Sequence, residues 1–160
     1  MSKTPLRPLA ERGRALNPDQ LHTFWRNGYL VVEDLLDSAT MDQLNDEYEV
    51  VCREARAKGA FGNFAQREST EDEGREVMAI NQVCERNLFF NKLLYNPQIL
   101  DVVEDLMGPN IQLFHDFILR KPDRHGGAVF WHQDNQAWQS MPPNNITCWI
   151  ALDDADAENG

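Results

Sequence analysis

The chain has 160 residues, 42% of them hydrophobic, and a formal net charge of −11 at pH 7. This length fits one domain that can bury a core, and the apolar content excludes disorder over most of the chain. The negative charge argues against nucleic acid or an anionic membrane surface as a partner, because both prefer a basic face. No apolar run approaches transmembrane length, and residues 1–14 lack the apolar core of a signal peptide, so we expect a cytoplasmic protein.

The chain opens with a basic, proline-containing stretch, residues 1–15, which we expect to be a loose arm. Asn17 then begins a predicted helix as its N-cap, with proline at the first helical position and glutamine three residues after the cap. Gly28 ends this helix. The β-branched and aromatic residues 29–32 predict a strand after it.

Two further helices are predicted before residue 109. The first is capped by Ser38, carries apolar residues at three-four spacing and ends at Gly59. The second begins after Asn96 as cap and runs over 97–108. Between them, the polar and charged segment 59–76 predicts a solvated loop or lid.

The pattern changes to strands near the end of the chain. Strand-like composition covers residues 111–121, 128–134 and 146–152, separated by turn-forming residues. Helices followed by strands predict an α+β fold in which the sheet begins late in the sequence.

Three cysteines and two histidines are assigned no chemistry. Cys52, Cys84 and Cys148 lie in no metal-binding spacing and are predicted to be reduced core thiols of a protein in a reducing compartment. His22 and His125 are expected to be exposed, and neither is a predicted ligand.

One His-x-Asp pair carries the chemistry. Residues at positions i and i+2 of a strand point to the same face, so His132 and Asp134 can present an imidazole beside a carboxylate. Together they supply two thirds of the 2-His-1-carboxylate triad that holds non-heme Fe(II). The spacing of the pair alone favours a hydrogen-bonded histidine at a sheet edge over a metal ligand. Alternation turns Gln133 away from the pair, and we expect Phe130 and Trp131 to pack.

Several ordered motifs along the chain are more specific together than any one alone. They are Gly108-Pro109-Asn110-Ile111, Leu119-Arg120-Lys121-Pro122, Trp131-His132-Gln133-Asp134, Cys148-Trp149-Ile150-Ala151-Leu152, Glu158-Asn159-Gly160, and an N-terminal start over Leu16-Asn17-Pro18-Asp19-Gln20 and Gly28-Tyr29-Leu30-Val31-Val32. In these motifs the chain resembles the phytanoyl-CoA dioxygenase family of Fe(II)/2-oxoglutarate oxygenases.

The resemblance implies a double-stranded β-helix, a jelly-roll core with helices packed outside it. The chain would then be the N-terminal part of a single domain, with residues 17–108 mainly helical and residues 109–160 beginning the jelly roll. His132 and Asp134 would be catalytic as iron ligands, and 2-oxoglutarate would chelate the metal while O₂ takes the remaining position. Related enzymes that halogenate lack the carboxylate, so a retained Asp134 implies hydroxylation with succinate and CO₂ as co-products.

The resemblance also implies residues that contact the cosubstrate. His115, Phe117 and Leu119 share one face by parity, and that face would border the 2-oxoglutarate pocket. Phe117 occupies a cosubstrate-contacting position, and His115 is either a polar neighbour or a satisfied core histidine. Trp149 would wall the pocket or be an ordinary core residue. Asn81 and Gln82 lie where some members place a polar residue on the cosubstrate carboxylate.

The chain departs from the family pattern after residue 160, where members continue to the distal histidine and to an arginine that clamps 2-oxoglutarate. We therefore expect the chain alone to be an inactive fragment, with exposed sheet edges that can self-associate. One alternative is a non-catalytic cupin-like binding module, or a subunit that a partner chain completes. Another is a hydrolytic site with zinc-bound water, which lacks the expected ligand spacing. The small organic or acyl substrate is not readable from these motifs.

Overall fold

The computed structural model describes residues 15–65, 73–137 and 145–158. Within these residues the chain forms two compact units. The first combines residues 15–35 with 96–111, and the second combines 36–95 with 112–158.

The first unit contains two helices whose starts are set by asparagine caps. In α1, Pro18–Asn27, the Asn17 side chain accepts from the backbone N–H of Gln20 at 2.9 Å, and the Gln20 side chain accepts from the Asn17 N–H at 2.9 Å. This reciprocal pairing satisfies two amide donors that have no partner inside the helix. The helix ends at Gly28, whose φ of 80° suits glycine. The prediction for this helix is confirmed.

The other helix of this unit follows Asn96, as predicted from its cap and proline. Asn96 accepts from the Gln98 N–H at 2.8 Å at the start of this helix, α4, Pro97–Met107. Buried Leu16 donates its backbone N–H to Asp105 Oδ2 at 2.8 Å, which ties the chain before α1 to this helix. The strand predicted over 29–32 is wrong, because these residues form no strand and pair with no neighbour.

The second unit begins with a long helix, α2, over Ser38–Lys58. Its cap is Asp37, which accepts from the Thr40 N–H at 2.7 Å, so the predicted cap at Ser38 is displaced by one residue. The helix ends at Gly59, as predicted. Its buried face consists of Leu44, Tyr48, Cys52 and Ala55.

A three-stranded antiparallel sheet packs against this helix. The strands are β1 (Gly62–Asn63), β2 (Met78–Asn81) and β3 (Phe117–Arg120), in that order across the sheet. A 3₁₀ turn over Val83–Glu85 and the short helix α3, Leu88–Leu93, follow β2. The described part of the segment 59–76 therefore contains a strand, which corrects the sequence prediction, while residues 66–72 of that prediction lie outside the described residues.

The two faces of the sheet differ. Met78, Ile80 and Ile118 pack on the buried face of α2 and form the core of this unit. Burial of such side chains contributes roughly 1.5–3 kcal/mol each. The opposite face, which we call the outer face, carries Ala79 with the half-exposed side chains of Phe117 and Leu119. His115, Phe117 and Leu119 were predicted to share this face.

The predicted strands near the end of the chain are shorter than expected. Of residues 111–121 only Phe117–Arg120 form a strand. Residues 128–134 contain a single bridge residue, Ala128, and residues 146–152 contain no strand residue, and side chains such as Val129 and Trp149 are exposed here. A single helical turn, α5, covers Asp134–Ala137. The α+β class is confirmed by the helices and the small antiparallel sheet.

The described residues contain no helix that is both long enough and apolar enough to span a bilayer. All three cysteines are free thiols. Cys52 and Cys84 are buried as predicted, whereas Cys148 is exposed, so its assignment to the core is wrong.

Candidate metal centre

His132 and Asp134 face each other in the second unit. The distance between His132 Nε2 and Asp134 Oδ1 is 3.3 Å, and the two side chains are 47% and 42% exposed. The sequence predicted this pairing from strand alternation, but the chain bends here instead. Asp134 begins the turn of α5, and that bend brings the two side chains together.

The state of the His132 ring follows from its other nitrogen. Nδ1 lies 2.6 Å from the backbone carbonyl oxygen of Phe130. A carbonyl oxygen can only accept, so Nδ1 carries a proton, and in a neutral ring the lone pair is on Nε2. That lone pair lies beside a carboxylate oxygen, which is also an acceptor. The two atoms therefore need either a second proton on the ring or a cation that both can bind.

The second oxygen of the carboxylate has a partner of its own. The hydroxyl of Thr147 donates to Asp134 Oδ2 at 2.9 Å. Sequence reasoning missed Thr147, although it lies in the segment 146–152 that also contains Trp149. Nothing in the spacing of Asp134 and Thr147 indicates that they meet.

An open cavity of about 630 Å³ borders the pair and is lined by Trp131, His132, Gln133 and Gln136. Trp131 is fully exposed and Phe130 is partly exposed, so the prediction that both pack is wrong. Gln133 lines the same cavity as His132, so the prediction that it turns away is wrong as well. Both errors have one cause: the alternation of a strand does not apply to a segment that is not a strand.

The donor atoms fit the metal that the sequence suggested. An imidazole nitrogen and a carboxylate oxygen are two of the three donors of the facial triad that binds non-heme Fe(II). The Nδ1–H bond to a carbonyl is the usual support of a ligating histidine, because it fixes the tautomer and the ring orientation. Within residues 15–65, 73–137 and 145–158 no group of three or more His, Cys, Asp or Glu side chains could hold a metal. The described site thus supplies two donors.

Three of the residues predicted near the cosubstrate, Asn81, His115 and Phe117, meet at one end of the β2–β3 ladder. His115 Nε2 lies 3.2 Å from Asn81 Oδ1, and the rings of His115 and Phe117 are 5.6 Å apart. Asn81 is also the strand partner of Phe117. The next residue, Gln82, has a φ of 55°, and its amide nitrogen lies 3.3 Å from Glu85 Oε1.

Trp149 is exposed, and it is not among the residues that line the cavity beside His132. The cosubstrate roles of Trp149, His115, Phe117 and Gln82 stay predictions. His22 and His125 are both exposed, as expected.

Comparison with known proteins decides the family. Residues 24–160 match the model of the family described as phytanoyl-CoA dioxygenase. The chain belongs to this family. The resemblance read from the ordered motifs is thereby confirmed, and dioxygenases of the phytanoyl-CoA dioxygenase family generally use Fe(II) and 2-oxoglutarate.

Named relatives of the chain include enzymes that act on different compounds. The chain is 27% identical to a peroxisomal phytanoyl-CoA dioxygenase of Bos taurus, over 91% of this chain and 45% of the relative. It is 29% identical to the Mus musculus protein of the same name, again over 91% of this chain and 45% of the relative. It is 24% identical to an ectoine dioxygenase of Bordetella parapertussis, over 91% of this chain and 47% of the relative. The chain therefore spans about half the length of these relatives. No solved structure matches it significantly.

Proposed function

We propose that this chain supplies His132 and Asp134 as two protein ligands of Fe(II) in a 2-oxoglutarate-dependent dioxygenase. The reaction class is hydroxylation of a small organic or acyl substrate by O₂, with succinate and CO₂ as co-products. One observation carries the proposal: Nε2 of His132 and Oδ1 of Asp134 lie 3.3 Å apart, so that an imidazole nitrogen and a carboxylate oxygen, two donor types of the facial triad, could bind one cation.

Each residue of the pair has a defined task in this proposal. The Phe130 carbonyl accepts from Nδ1–H and so keeps Nε2 free to bind the metal. Asp134 would hold the metal through its carboxylate and neutralise part of its charge, and a retained carboxylate favours hydroxylation over halogenation. When bound, iron and 2-oxoglutarate supply the activation of O₂. The exposed cavity beside Trp131 and Gln136 is where we place the substrate.

The cosubstrate contacts belong to the same proposal. We assign Phe117 and Trp149 to apolar walls of the 2-oxoglutarate pocket, and His115 and Gln82 to its polar contacts. Support comes from the outer face of the sheet, where His115, Asn81 and Phe117 lie side by side.

We further propose that residues 1–160 form the N-terminal part of a single domain whose jelly-roll core needs further strands. Two observations support this. The outer face leaves Phe117 and Leu119 half exposed, and the described residues supply two metal donors rather than three. The same observations favour one alternative, a cupin-like subunit that a partner chain completes. β1 and β3 are edge strands, through which copies of the chain can associate.

The location that we propose is the cytoplasm. Free thiols at Cys52, Cys84 and Cys148 suit a reducing compartment, where disulfides are rare. Small molecules and O₂, rather than nucleic acid or a membrane surface, are the proposed partners, in keeping with the net charge of −11.

The proposal is tested under anaerobic conditions with the full-length protein that contains residues 1–160, since the described residues supply two of the three metal donors. Fe(II) and 2-oxoglutarate together should give the visible charge-transfer band of a chelated complex, and His132→Ala and Asp134→Ala should each lose it. His125→Ala and Asp123→Ala remove the same side-chain types from exposed positions, and they should retain the band. Retention of the band by the first two variants would contradict the proposed site.

A second measurement separates hydroxylation from halogenation. Azide should bind more weakly to the anaerobic complex of the wild-type protein than to that of an Asp134→Gly variant, because Asp134 would occupy a position that the variant leaves open. The variant should also bind iron less tightly. Equal azide affinity and equal iron affinity in the two proteins would contradict the assignment of Asp134 as a ligand.

A further inference from the structure

The carboxylate of Asp134 has its two oxygens in different surroundings. Oδ1 lies 3.3 Å from His132 Nε2, on the side where the proposed metal would bind. Oδ2 accepts the hydroxyl hydrogen of Thr147 at 2.9 Å. The two oxygens are therefore not equivalent, although the side chain itself is symmetric.

The contact with Thr147 matters because little else restrains this side chain. Asp134 is 42% exposed and begins a helix of only four residues. Thr147 lies 13 residues further along, in a stretch that forms neither helix nor strand, so this contact ties two irregular segments together. A half-exposed carboxylate without such a tie would sample several rotamers. Threonine suits the task since its branched side chain is stiff about χ1.

We propose that Thr147 is a positioning residue for the metal ligand Asp134. Its hydroxyl donates to Oδ2 and holds Oδ1 towards His132 Nε2, so that Oδ1 is the oxygen that would bind the metal. This inference rests on the proposed function, and it adds a residue that neither the His-x-Asp motif nor the sequence spacing indicates.

The consequence is measurable without turnover. Partners that orient metal ligands typically contribute about 10-fold to 100-fold in metal affinity. Thr147→Val keeps the shape of the side chain and removes the donor, so we expect Fe(II) to bind about 10-fold more weakly. Thr147→Ser keeps the hydroxyl and should bind Fe(II) within about 2-fold of wild type, well apart from the roughly 10-fold loss expected for Thr147→Val. Thr23→Val, at an exposed position of α1 in the other unit, is the matched control.

The test is an anaerobic Fe(II) titration of the full chain with these variants and with Thr147→Val in an Asp134→Ala background. If Thr147 acts through Asp134, the valine substitution adds no loss once the carboxylate is gone. An equal loss in both backgrounds would assign Thr147 a merely structural role and overturn the inference. The serine variant keeps the test decisive even if the valine variant fails to fold.

The same titration tests the proposed metal site and the role of Thr147 separately. If His132→Ala and Asp134→Ala bind Fe(II) as tightly as wild type, the proposed function fails and the role of Thr147 with it. If those two variants lose affinity while Thr147→Val does not, the metal site stands and only the inference about Thr147 is overturned.

Discussion

The central strand β2 and the segment around His132 are held in place in opposite ways. In β2, Met78, Ala79 and Ile80 are 0%, 0% and 1% exposed, and the strand pairs with a neighbour on each side. Around His132 the chain forms no strand and Trp131 is fully exposed. Burial and the hydrogen bonds between strands hold β2 in place, whereas a few polar contacts hold the segment around His132.

This difference indicates what substitutions will do in each region. Loss of a side chain from β2 leaves a cavity in a packed core, so the free energy of unfolding falls. Loss of a side chain near His132 removes at most an exposed hydrogen bond, which contributes little to stability. We therefore expect stability and metal affinity to be controlled by separate sets of residues.

The largest effect on stability should come from Ile80→Ala. Ile80 packs in the core beside Ile118 and the buried face of α2, so its truncation should lower the free energy of unfolding by about 2–5 kcal/mol. Urea unfolding measures this loss. Val31→Ala removes a branched side chain from an exposed position and should change stability by about 0.5 kcal/mol at most. Similar losses in both variants would break the comparison.

A smaller loss is expected from Asp116→Ala. The Asp116 carboxylate accepts the backbone N–H of Cys84 at 2.9 Å and the thiol of Cys84 at 2.8 Å. Removing it leaves a part-buried amide without its acceptor, which should cost about 2 kcal/mol. Asp123→Ala, at an exposed position, should cost far less. A loss of equal size in both variants would mean that the Asp116 carboxylate does not stabilise the turn after β2.

The thiol of Cys84 should make stability fall in alkali. Burial, and then the neighbouring Asp116 carboxylate, raise its pKa from 9.0 to about 11. The unfolded chain loses this proton first, so stability is complete below pH 9 and is lost as pH rises towards 11. The expected decline is about 1 kcal/mol between pH 9 and pH 10, measured by urea unfolding. Cys84→Ala should show a smaller decline over the same interval, and an unchanged decline would contradict this assignment.

The smallest effect on stability should follow Trp131→Ala. A buried tryptophan contributes about 3–5 kcal/mol when truncated, but Trp131 is fully exposed. We expect a change of about 0.5 kcal/mol at most in the free energy of unfolding. A loss above about 2 kcal/mol would mean that the indole is packed, and the contrast between the two regions would then not hold.

Features set by neighbouring residues could be predicted from the sequence. The Asn17–Gln20 capping box, the Asn96 cap and the glycines at 28 and 59 define three helices because each signal acts within one turn. β2 was missed because its apolar run is short and buried on both faces, which leaves no alternation to read.

The candidate site was predictable only in part. His132 and Asp134 are two residues apart, so both an extended chain and a bend can bring them together, and the pair was found although the predicted strand was wrong. Thr147 could not be found in this way, since it lies 13 residues after Asp134 and no local sequence signal links the two. Local signals predict local contacts, and this one is not local.

The central claim is that Nε2 of His132 and the carboxylate of Asp134 bind one metal ion. The most direct test is NMR of the ¹⁵N-labelled histidines during titration with Zn(II), a diamagnetic substitute for Fe(II). The sequence has histidines at 22, 115, 125 and 132. We expect His132 alone to show the Nδ1–H tautomer with an Nε2 resonance that shifts on metal addition, and Asp134→Ala to remove that shift. A shift at another histidine with none at His132, or a shift that survives in Asp134→Ala undiminished, would contradict the account.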